Sequence, residues 1–544
     1  MRYYKMSHHP RGMYFHKKEF STKKNEFESI KHLIPSPILE NDQDTLSCYW
    51  YAVKLAFQNT HIPEPNSGFV SSFIDAAFND DIFMWDTAFM TFYCNLLHPY
   101  IPGIQSLDNF YVKQFDDGEI PREMIRKTGE DYPKWVNHDR HPLHSFFHND
   151  YGYRRIKQVN VVHYENMFKP SLGRNVEEIP YLTLDNLNHP IMAWAEWESY
   201  IHTGDFNRLQ QVIEPLYHYY LSLYTHIRHA NHLYVTDWAS MDNSPRNAYL
   251  GCAVDTSSEM VLFANHLIEM MREVESKTRS TQIDYASRIH FLKESSELTK
   301  HAIQSLLWND HTKFYYDLTK DNQLAPVKTV AAYWTLLADV ATKDQVEHLV
   351  NYLNDEKTFK RVHRVPVLAA DEEGYNPRGG YWRGAVWAPT NTMVLSGLKK
   401  KGYHELAREI ALNHLGNIVE VYKKTNTIWE CYPADEVSSG DSDKKDLVGW
   451  SGLGPILYLI EYRIGLTADS RTNTVTWRIE EGSEVTGCKN YWFFNKSANF
   501  LQSQQDDTLT IKVDSNDSFN LDIIYKKKTY HYQIKENCVI HIGG

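Results

Sequence analysis

Two adjoining stretches, HPIMAWAEWESYIHTGD (residues 189–205) and FNRLQQVIEPLYHYYLSLYTHIRH (206–229), decide the fold. In both, apolar residues recur at spacings of three and four, which is typical of amphipathic helices. Only Thr203-Gly204-Asp205 separates the two helices, and here the glycine is expected to end the first helix and Asp205 to cap the second. So short a link makes the two helices antiparallel neighbours.

The same periodicity extends along most of the chain. An earlier helix is predicted within DTLSCYWYAVKLAFQN (44–59), and the loops between the later helices are rich in Gly, Pro and Trp. This alternation predicts a toroid of helices with functional loops at one end, although a solenoid of many helices remains an alternative. The further helices are predicted at about 254–276, 281–308, 327–341, 343–354, 386–400, 403–423 and 450–464.

The two ends of the chain differ from this helical middle. Residues 1–45 are charged and contain HLIPSP, which predicts an N-terminal arm or short cap before the helical domain at 46–466. From about residue 467 the spacing changes to period two, which is typical of strands. The segments TNTVTWRIEE, TLTIKVDS, FNLDIIYKKKTYHYQIK and CVIHI therefore predict a small β-sandwich-like domain at 467–544.

Composition excludes some classes of protein. The 57 basic and 69 acidic side chains give a net charge of −12 without an acidic tail, which argues against nucleic acid or an anionic membrane as a partner. The N-terminus lacks the apolar region of a signal peptide, and there is no run long enough to cross a bilayer, so we expect a soluble cytoplasmic or periplasmic protein. The six cysteines show no CxxC pair and no zinc-knuckle spacing. The sequence predicts neither a cofactor nor a metal, and it leaves the oligomeric state open.

Five segments combine carboxylates, arginine and tryptophan beside Gly or Pro, where side chains are presented rather than buried. Taken singly, each has an ordinary structural interpretation as a helix cap, a solvated charge or a packed loop. The 14% aromatic content is equally compatible with sugar stacking and with an aromatic core. The segments are DIFMWD (81–86), DGEIPRE (117–123), DWASMDNSPR (237–246), GYWRGAVW (380–387) and WECYP (429–433).

Taken in order, these motifs resemble glycoside hydrolase family 63 and its mannosylglycerate-hydrolase-like relatives, and more distantly the trehalases. The similarity covers roughly residues 70–465. It implies a mainly α fold, an (α/α)6 helical barrel, with the small β domain following it. SMDNSPR is similar to the family motif that carries the general acid, which implies that role for Asp242. WECYP is similar to the element that contains the general base, which implies Glu430.

The resemblance also implies the sugar-binding residues. The Trp85-Asp86 pair resembles the element that holds the sugar at the cleaved position, and YWRGAVW resembles a stretch that lines the sugar pocket. Arg246 and Arg383 have an alternative role as loop anchors. The predicted substrate-binding residues are Trp85, Asp86, Trp238, Asn243, Arg246, Tyr381, Trp382, Arg383, Trp387 and Trp450.

The chemistry of these residue types agrees with that function. Glycosidic cleavage passes through an oxocarbenium-like state that needs a proton on the leaving oxygen and a nucleophile on the opposite face, which two carboxyl groups can supply. We therefore expect an inverting, exo-acting α-glycoside hydrolase, similar to an α-glucosidase or α-mannosidase, that acts on a small α-linked saccharide or glycoside. A sugar epimerase and a non-catalytic carbohydrate-binding protein on the same barrel remain alternatives.

Each catalytic role has alternative candidate residues. Asp237 is an alternative acid, and Asp435 and Glu436 are alternative bases. The segment NHDRHPLHSFFHND holds His138, His141, His144 and His148 at spacings that could suit a metal, but Pro142 interrupts the helix and no HExxH arrangement is present, so a solvated excursion is favoured. Asn188-His189-Pro190, Ala239 and Cys431 depart from the family pattern and leave the substrate open.

Overall fold

The fold is described from a computed structural model of the 544-residue chain. It covers residues 12–17, 24–77, 79–115, 118–130, 189–236, 241, 243–248, 251–278, 283–319, 321–442, 444–446, 449–482 and 484–543. The predicted residues Asp242 and Trp238, the alternative acid Asp237 and the histidine cluster lie outside these ranges.

The predicted pair of adjoining helices is confirmed. Helices run over Met192–Thr203 and Phe206–His226. Gly204 ends the first helix in the left-handed conformation, with φ of 72°. The Asp205 side chain accepts a hydrogen bond from the backbone N–H of Arg208 and so caps the second helix, as the sequence predicts.

The helices occupy the middle of the chain. Short helical turns form at Phe27–Ile30, Ile104–Leu107 and Asp108–Tyr111. The longer helices and those of the ring are α1 (Gln43–Gln58), α2 (Met84–Leu96), α3 (Met192–Thr203), α4 (Phe206–His226), α5 (Val254–Lys277), α6 (Tyr285–Ala302, extended by Ile303–Leu307), α7 (Trp334–Leu337, preceded by Val330–Tyr333), α8 (Lys343–Asn354), α9 (Ala388–Lys400), α10 (His404–Thr425) and α11 (Gly454–Ile464, preceded by Trp450–Leu453). Helix α8, and α11 together with the turn before it, have the predicted bounds.

Six of these helices form a closed ring. Helix α2 contacts α3, α3 contacts α5, α5 contacts α7, and α7 contacts α9. Helix α9 then contacts the turn that begins α11, and this turn contacts α2 again. Helices α4 and α6 pack on α5 from outside, and α10 packs on α9 and α11. The N-terminal ends of α2, α9 and α11 meet at one end of the ring, where the tryptophans at or beside those ends contact one another.

Short strand pairs form in the loops between the helices. The pairs are Asp81–Phe83 with Glu123–Ile125, Thr60–His61 with Phe73–Ile74, and Trp308–Asn309 with Phe314–Tyr315. A four-stranded sheet joins Val235–Thr236, Gly251–Cys252, Asp317–Leu318 and Leu324–Ala325. No described helix is both long and apolar enough to cross a membrane.

The C-terminal region is rich in strands, as predicted, and it also uses part of the N-terminal arm. Its strands are β1 (Ser36–Leu39), β2 (Leu466–Asp469), β3 (Thr474–Arg478), β4 (Thr486–Phe493), β5 (Lys496–Gln505), β6 (Thr508–Ser515), β7 (Phe519–Tyr525), β8 (Lys528–Ile534) and β9 (Cys538–Ile542). One sheet has the order β1-β4-β5-β6-β9 and the other β2-β3-β7-β8. Trp477 of the second sheet contacts Phe500 of the first with ring centroids 5.5 Å apart, so the sheets pack face to face.

Candidate active site

The Trp85-Asp86 pair lies in the first turn of α2, at the end of the strand Asp81–Phe83. The backbone N–H of Met84 donates to the carbonyl of Arg122, which ties the helix start to the DGEIPRE segment. Asp81 and Glu123 are both buried and their carboxyl groups interact, while burial raises the pKa of Asp81. These contacts hold the start of α2 in place, and with it the Trp85-Asp86 pair.

The YWRGAVW segment forms a tight turn that the Asn243 side chain holds in place. Tyr381 has a left-handed φ of 63°, which is costly for a bulky residue and needs support from its surroundings. The Asn243 amide donates to the carbonyl of Gly380 at 3.1 Å and accepts from the N–H of Trp382 at 2.8 Å. Asn243 thus links the loop that carries Asp242 in the sequence to the predicted sugar pocket.

Glu430 is buried, with 4% of its surface exposed, and its backbone is fixed on two sides. Its N–H donates to the carbonyl of Lys444 at 3.0 Å, and its carbonyl accepts from the Trp450 indole N–H at 3.1 Å. Two residues further on, Tyr432 pairs with Val386 in an antiparallel bridge. The WECYP and YWRGAVW segments are therefore neighbours in the fold.

Four indoles join the predicted segments, and we call them the tryptophan ring: Trp85, Trp382, Trp387 and Trp450. Neighbouring centroids lie 6.4 Å apart for Trp85 and Trp382, 4.3 Å for Trp382 and Trp387, 5.7 Å for Trp387 and Trp450, and 6.4 Å for Trp450 and Trp85. Three of them are nearly buried, whereas Trp85 is partly exposed. Trp387 is buried and stacks on Trp382 at an interplanar angle of 8°.

The structure favours the loop-anchor role for Arg246. Its guanidinium is buried and bonds both Asp255 and Asp317, at shortest distances of 2.6 and 2.7 Å, and it also donates to the Met241 sulfur at 3.3 Å. Burial alone would raise the pKa of Asp255, but Arg246 outweighs it and holds that pKa below the usual value. The donors of Arg246 are used inside the protein, which corrects the expectation that they face a sugar.

The structure also shows the contacts of Arg383 and of the two alternative bases, Asp435 and Glu436. The Arg383 Nε–H donates to the carbonyl of Gly374 at 3.0 Å, which anchors the loop, and the residue stays partly exposed. Asp435 forms an ion pair with Arg361 at 2.6 Å, and Glu436 is exposed and pairs with Arg378 at 3.4 Å. Neither carboxylate is buried as Glu430 is.

A buried pair that the sequence motifs did not indicate lies beside Arg246 and its partner Asp255. His189 Nδ1 and Glu259 Oε2 are 2.5 Å apart, and both residues are at least 95% buried. Glu259 follows Asp255 by one helical turn on α5, so the pair extends the ion network under the Asn243 loop. Only the departure Asn188-His189-Pro190 from the family pattern pointed to this position. Among the described residues, no group of three His, Cys, Asp or Glu side chains could hold a metal ion.

Comparison with known proteins identifies a domain that contains much of this site. The profile described as "Mannosylglycerate hydrolase MGH1-like glycoside hydrolase domain" matches residues 182–443. This stretch contains Asp242, Asn243, the Tyr381 turn and Glu430. The chain contains an MGH1-like glycoside hydrolase domain. It is therefore a glycoside hydrolase, as the motifs predict.

Similar proteins extend the match beyond this glycoside hydrolase domain. An uncharacterized protein of Borreliella burgdorferi is 29% identical over 360 residues, which cover 63% of this chain and 73% of that protein. A probable mannosyl-oligosaccharide glucosidase of Schizosaccharomyces pombe is 25% identical over 162 residues, 27% of this chain and only 20% of that protein. The GH63 mannosylglycerate hydrolase of Thermus thermophilus, solved in complex with glucose, superposes with a TM-score of 0.53 at 17% identity over 75% of this chain and 98% of its own. This last similarity is one of fold.

Proposed function

We propose that the protein is an inverting, exo-acting α-glycoside hydrolase, with Asp242 as general acid and Glu430 as general base. In this proposal the closed helical ring is the inner wall of an (α/α)6 barrel, and the site lies at the end where the tryptophans meet. The substrate is a small α-linked saccharide or glycoside with glucose or mannose at the cleaved position. The protein needs no cofactor for this reaction, since two carboxyl groups supply the proton and activate the water.

One observation carries the proposal. Asn243, the residue after Asp242, is bonded to Trp382 at 2.8 Å, and Glu430 is bonded through its carbonyl to Trp450 at 3.1 Å. Trp382 and Trp450 belong to the same tryptophan ring, although positions 243 and 430 are 187 positions apart in the sequence. The two motifs with the carboxyl groups needed for inversion thus meet across one aromatic site.

The polar groups beside the ring suit sugar hydroxyls. The Trp85 indole N–H is buried and has no hydrogen-bond partner among the described residues, and a buried donor of this kind is costly unless a partner arrives. A hydroxyl of the bound sugar supplies such an acceptor in our proposal. Asp86, Tyr381 and Arg383, each partly exposed, lie next to Trp85 or Trp382 in the sequence and offer further polar contacts.

A substrate panel tests the proposal. We expect the purified protein to release single glucose or mannose units from α-linked disaccharides or aryl-α-glycosides, and to leave the β-linked counterparts intact. Product sugars can be separated and quantified by anion-exchange chromatography. Cleavage confined to β-linked substrates would contradict the proposal. Saturable sugar binding without cleavage of any α-linked compound would instead favour a non-catalytic carbohydrate-binding protein.

Replacing Asn243 tests the link between the two loops. The Asn243→Ala variant loses two hydrogen bonds and leaves the Gly380 carbonyl and the Trp382 N–H without their partner, at a cost of about 1–3 kcal/mol. We expect kcat/KM to fall by about 10–100-fold, since each 1.4 kcal/mol is a factor of ten. The Asn243→Asp variant keeps an acceptor for Trp382 but sets a carboxylate oxygen against the Gly380 carbonyl, so it should lose activity as well.

Asn376 offers a matched control for this variant. It lies near the same turn and bonds Asp441 at 3.1 Å, but this contact is on the surface. The Asn376→Ala variant should keep kcat/KM within about threefold of the wild type, as expected for a loss below 1 kcal/mol. Equal kinetics for Asn243→Ala and the wild type would show that Asn243 does not position the site.

A further inference from the structure

A second cavity lies at the end of the helix ring opposite the tryptophan ring. Its volume is about 710 Å³, and all six ring helices and strands β2 and β3 contribute to its wall. It is lined by residues at the C-terminal ends of ring helices, such as Leu96 of α2, Lys399 of α9 and Glu461 of α11. None of the predicted catalytic or sugar-binding residues in the described part of the chain lines this cavity, so it is separate from the predicted catalytic site.

Most cations on the cavity wall already have partners. Lys399 bonds Glu461 at 3.2 Å, and Arg471 bonds Asp469 at 2.7 Å. Lys400 donates to the carbonyl of Leu337 at 3.0 Å, at the end of α7, where a helix leaves its carbonyls unpaired. These cations therefore neutralise local acids and helix ends and do not offer free charges to an anion.

Glu198 is different from the other acids of this wall. Its carboxylate accepts one hydrogen bond, from the Trp194 indole N–H at 3.3 Å. No lysine, arginine or histidine in the described part of the chain forms an ion pair with it, although Lys399 and His266 lie near enough to influence its charge. Burial raises the pKa of Glu198, because a carboxylate without a cation is costly inside a protein.

His266 adds an acceptor to the same wall. Its Nδ1 lies 3.1 Å from Glu269, and its Nε2 is buried without a hydrogen-bond partner among the described residues. In the neutral imidazole, Nδ1–H donates to Glu269 and Nε2 carries a lone pair that can accept a hydrogen bond. The cavity thus has a carboxylate and an imidazole that both need a donor, next to apolar side chains such as Phe92 and Leu457.

We propose that this cavity binds a small organic amine, whose ammonium group bonds Glu198 and His266 and whose apolar body lies against Phe92 and Leu457. An ammonium group has three donors and no acceptor, which matches the two acceptors of the wall. The volume is within the ordinary range for sites that enclose a small ligand. Neither the substrate nor the catalytic carboxyl groups take part in this site, so the proposal does not depend on the proposed function.

Calorimetric titration with benzylamine tests the site, with benzyl alcohol as the uncharged ligand of the same shape. We expect benzylamine binding to saturate at ligand concentrations up to about 10 mM, since a fragment of this size binds with a Kd of roughly 1 mM. We expect no binding of benzyl alcohol. Glu198→Gln keeps the acceptor for Trp194 but loses the charge, and it should weaken binding about tenfold or more. Leu457→Phe, which narrows the cavity, should weaken binding in a second and independent way.

The catalytic carboxylate provides the control, because an amine could also bind beside Glu430. Glu430→Gln should bind benzylamine as the wild type does. Binding that survives Glu198→Gln but is lost in Glu430→Gln would place the amine in the carbohydrate site and overturn the proposal. The proposal is also overturned if the wild type shows no saturable binding within the same concentration range.

Discussion

Replacing Glu430 with glutamine is expected to lower kcat by about a thousandfold, within the range that a positioned general base contributes. Glutamine preserves the shape of the side chain but cannot take a proton from water. The backbone contacts of Glu430 with Lys444 and Trp450 do not involve the side chain, so the loop should keep its place. KM should change little, because binding of the sugar depends on the neighbouring aromatic and polar groups.

The neighbouring carboxylates give matched controls for this variant. Asp435 and Glu436 stand a few residues after Glu430 and form ion pairs with Arg361 and Arg378. Asp435→Asn and Glu436→Gln should each keep at least about a third of the wild-type kcat, as expected of a surface ion pair. A thousandfold loss in either of these variants, together with an active Glu430→Gln enzyme, would transfer the role of base away from Glu430.

Replacing Asp242 with asparagine is expected to have a large effect that depends on the leaving group. Cleavage of an α-linked disaccharide should fall by about a thousandfold, because a sugar alkoxide cannot leave without a proton. An aryl glycoside with an acidic phenol leaves as a stable anion, so its cleavage should fall far less. The measurement is kcat/KM for a series of aryl-α-glycosides whose phenols differ in pKa.

The Asp237→Asn variant is the control for the measurements on Asp242→Asn. Asp237 lies five residues before Asp242 in the same segment. Asp237→Asn should show the same dependence on the leaving group as the wild type. If the steep dependence arises in Asp237→Asn and is absent in Asp242→Asn, the acid is Asp237.

The local periodicity predicted the bounds of the amphipathic helix α8 correctly. Helix α8 runs over Lys343–Asn354, as predicted, and its start carries a capping box made by Thr342 and Gln345. Helix α7 is shorter than predicted because contacts distant in sequence limit it. Thr329 pairs with Leu368 in a bridge before the helix, and Asp339 takes a left-handed φ of 59° after it.

Strands β1, β4 and β5 lie outside the segments that the sequence predicted as strands, for two different reasons. Strands β4 and β5 pair with a shift of register between Cys488 and Tyr491, which breaks the period-two pattern that strands are recognised by. Strand β1 pairs Ser36 with Lys489, and a short segment gives no sign of so distant a partner. The N-terminal arm therefore looked separate from the β region that it joins.

Much of the candidate site could be predicted from residue types in motifs. The hydrogen-bond partners of these residues could not be predicted from the sequence. Glu430, Trp85, Trp382 and Trp387 belong to recognisable motifs and Trp450 was predicted as a further sugar-binding residue, and the structure brings all five together. Asn243 bonds backbone atoms of residues 137 and 139 positions away. Every residue has the same backbone groups, so the sequence does not indicate such partners. Arg246 was expected to face a sugar because Asp255 and Asp317, which occupy its donors, resemble ordinary acidic residues until the chain folds.

The stereochemistry of the first product tests the proposed inverting mechanism most directly. Proton NMR can follow hydrolysis of an α-linked substrate by the wild-type enzyme before mutarotation mixes the anomers. We expect the β-anomer of the released sugar to appear first, because Glu430 directs water to the face opposite the leaving group. Initial formation of the α-anomer would contradict inversion and the roles assigned to Asp242 and Glu430.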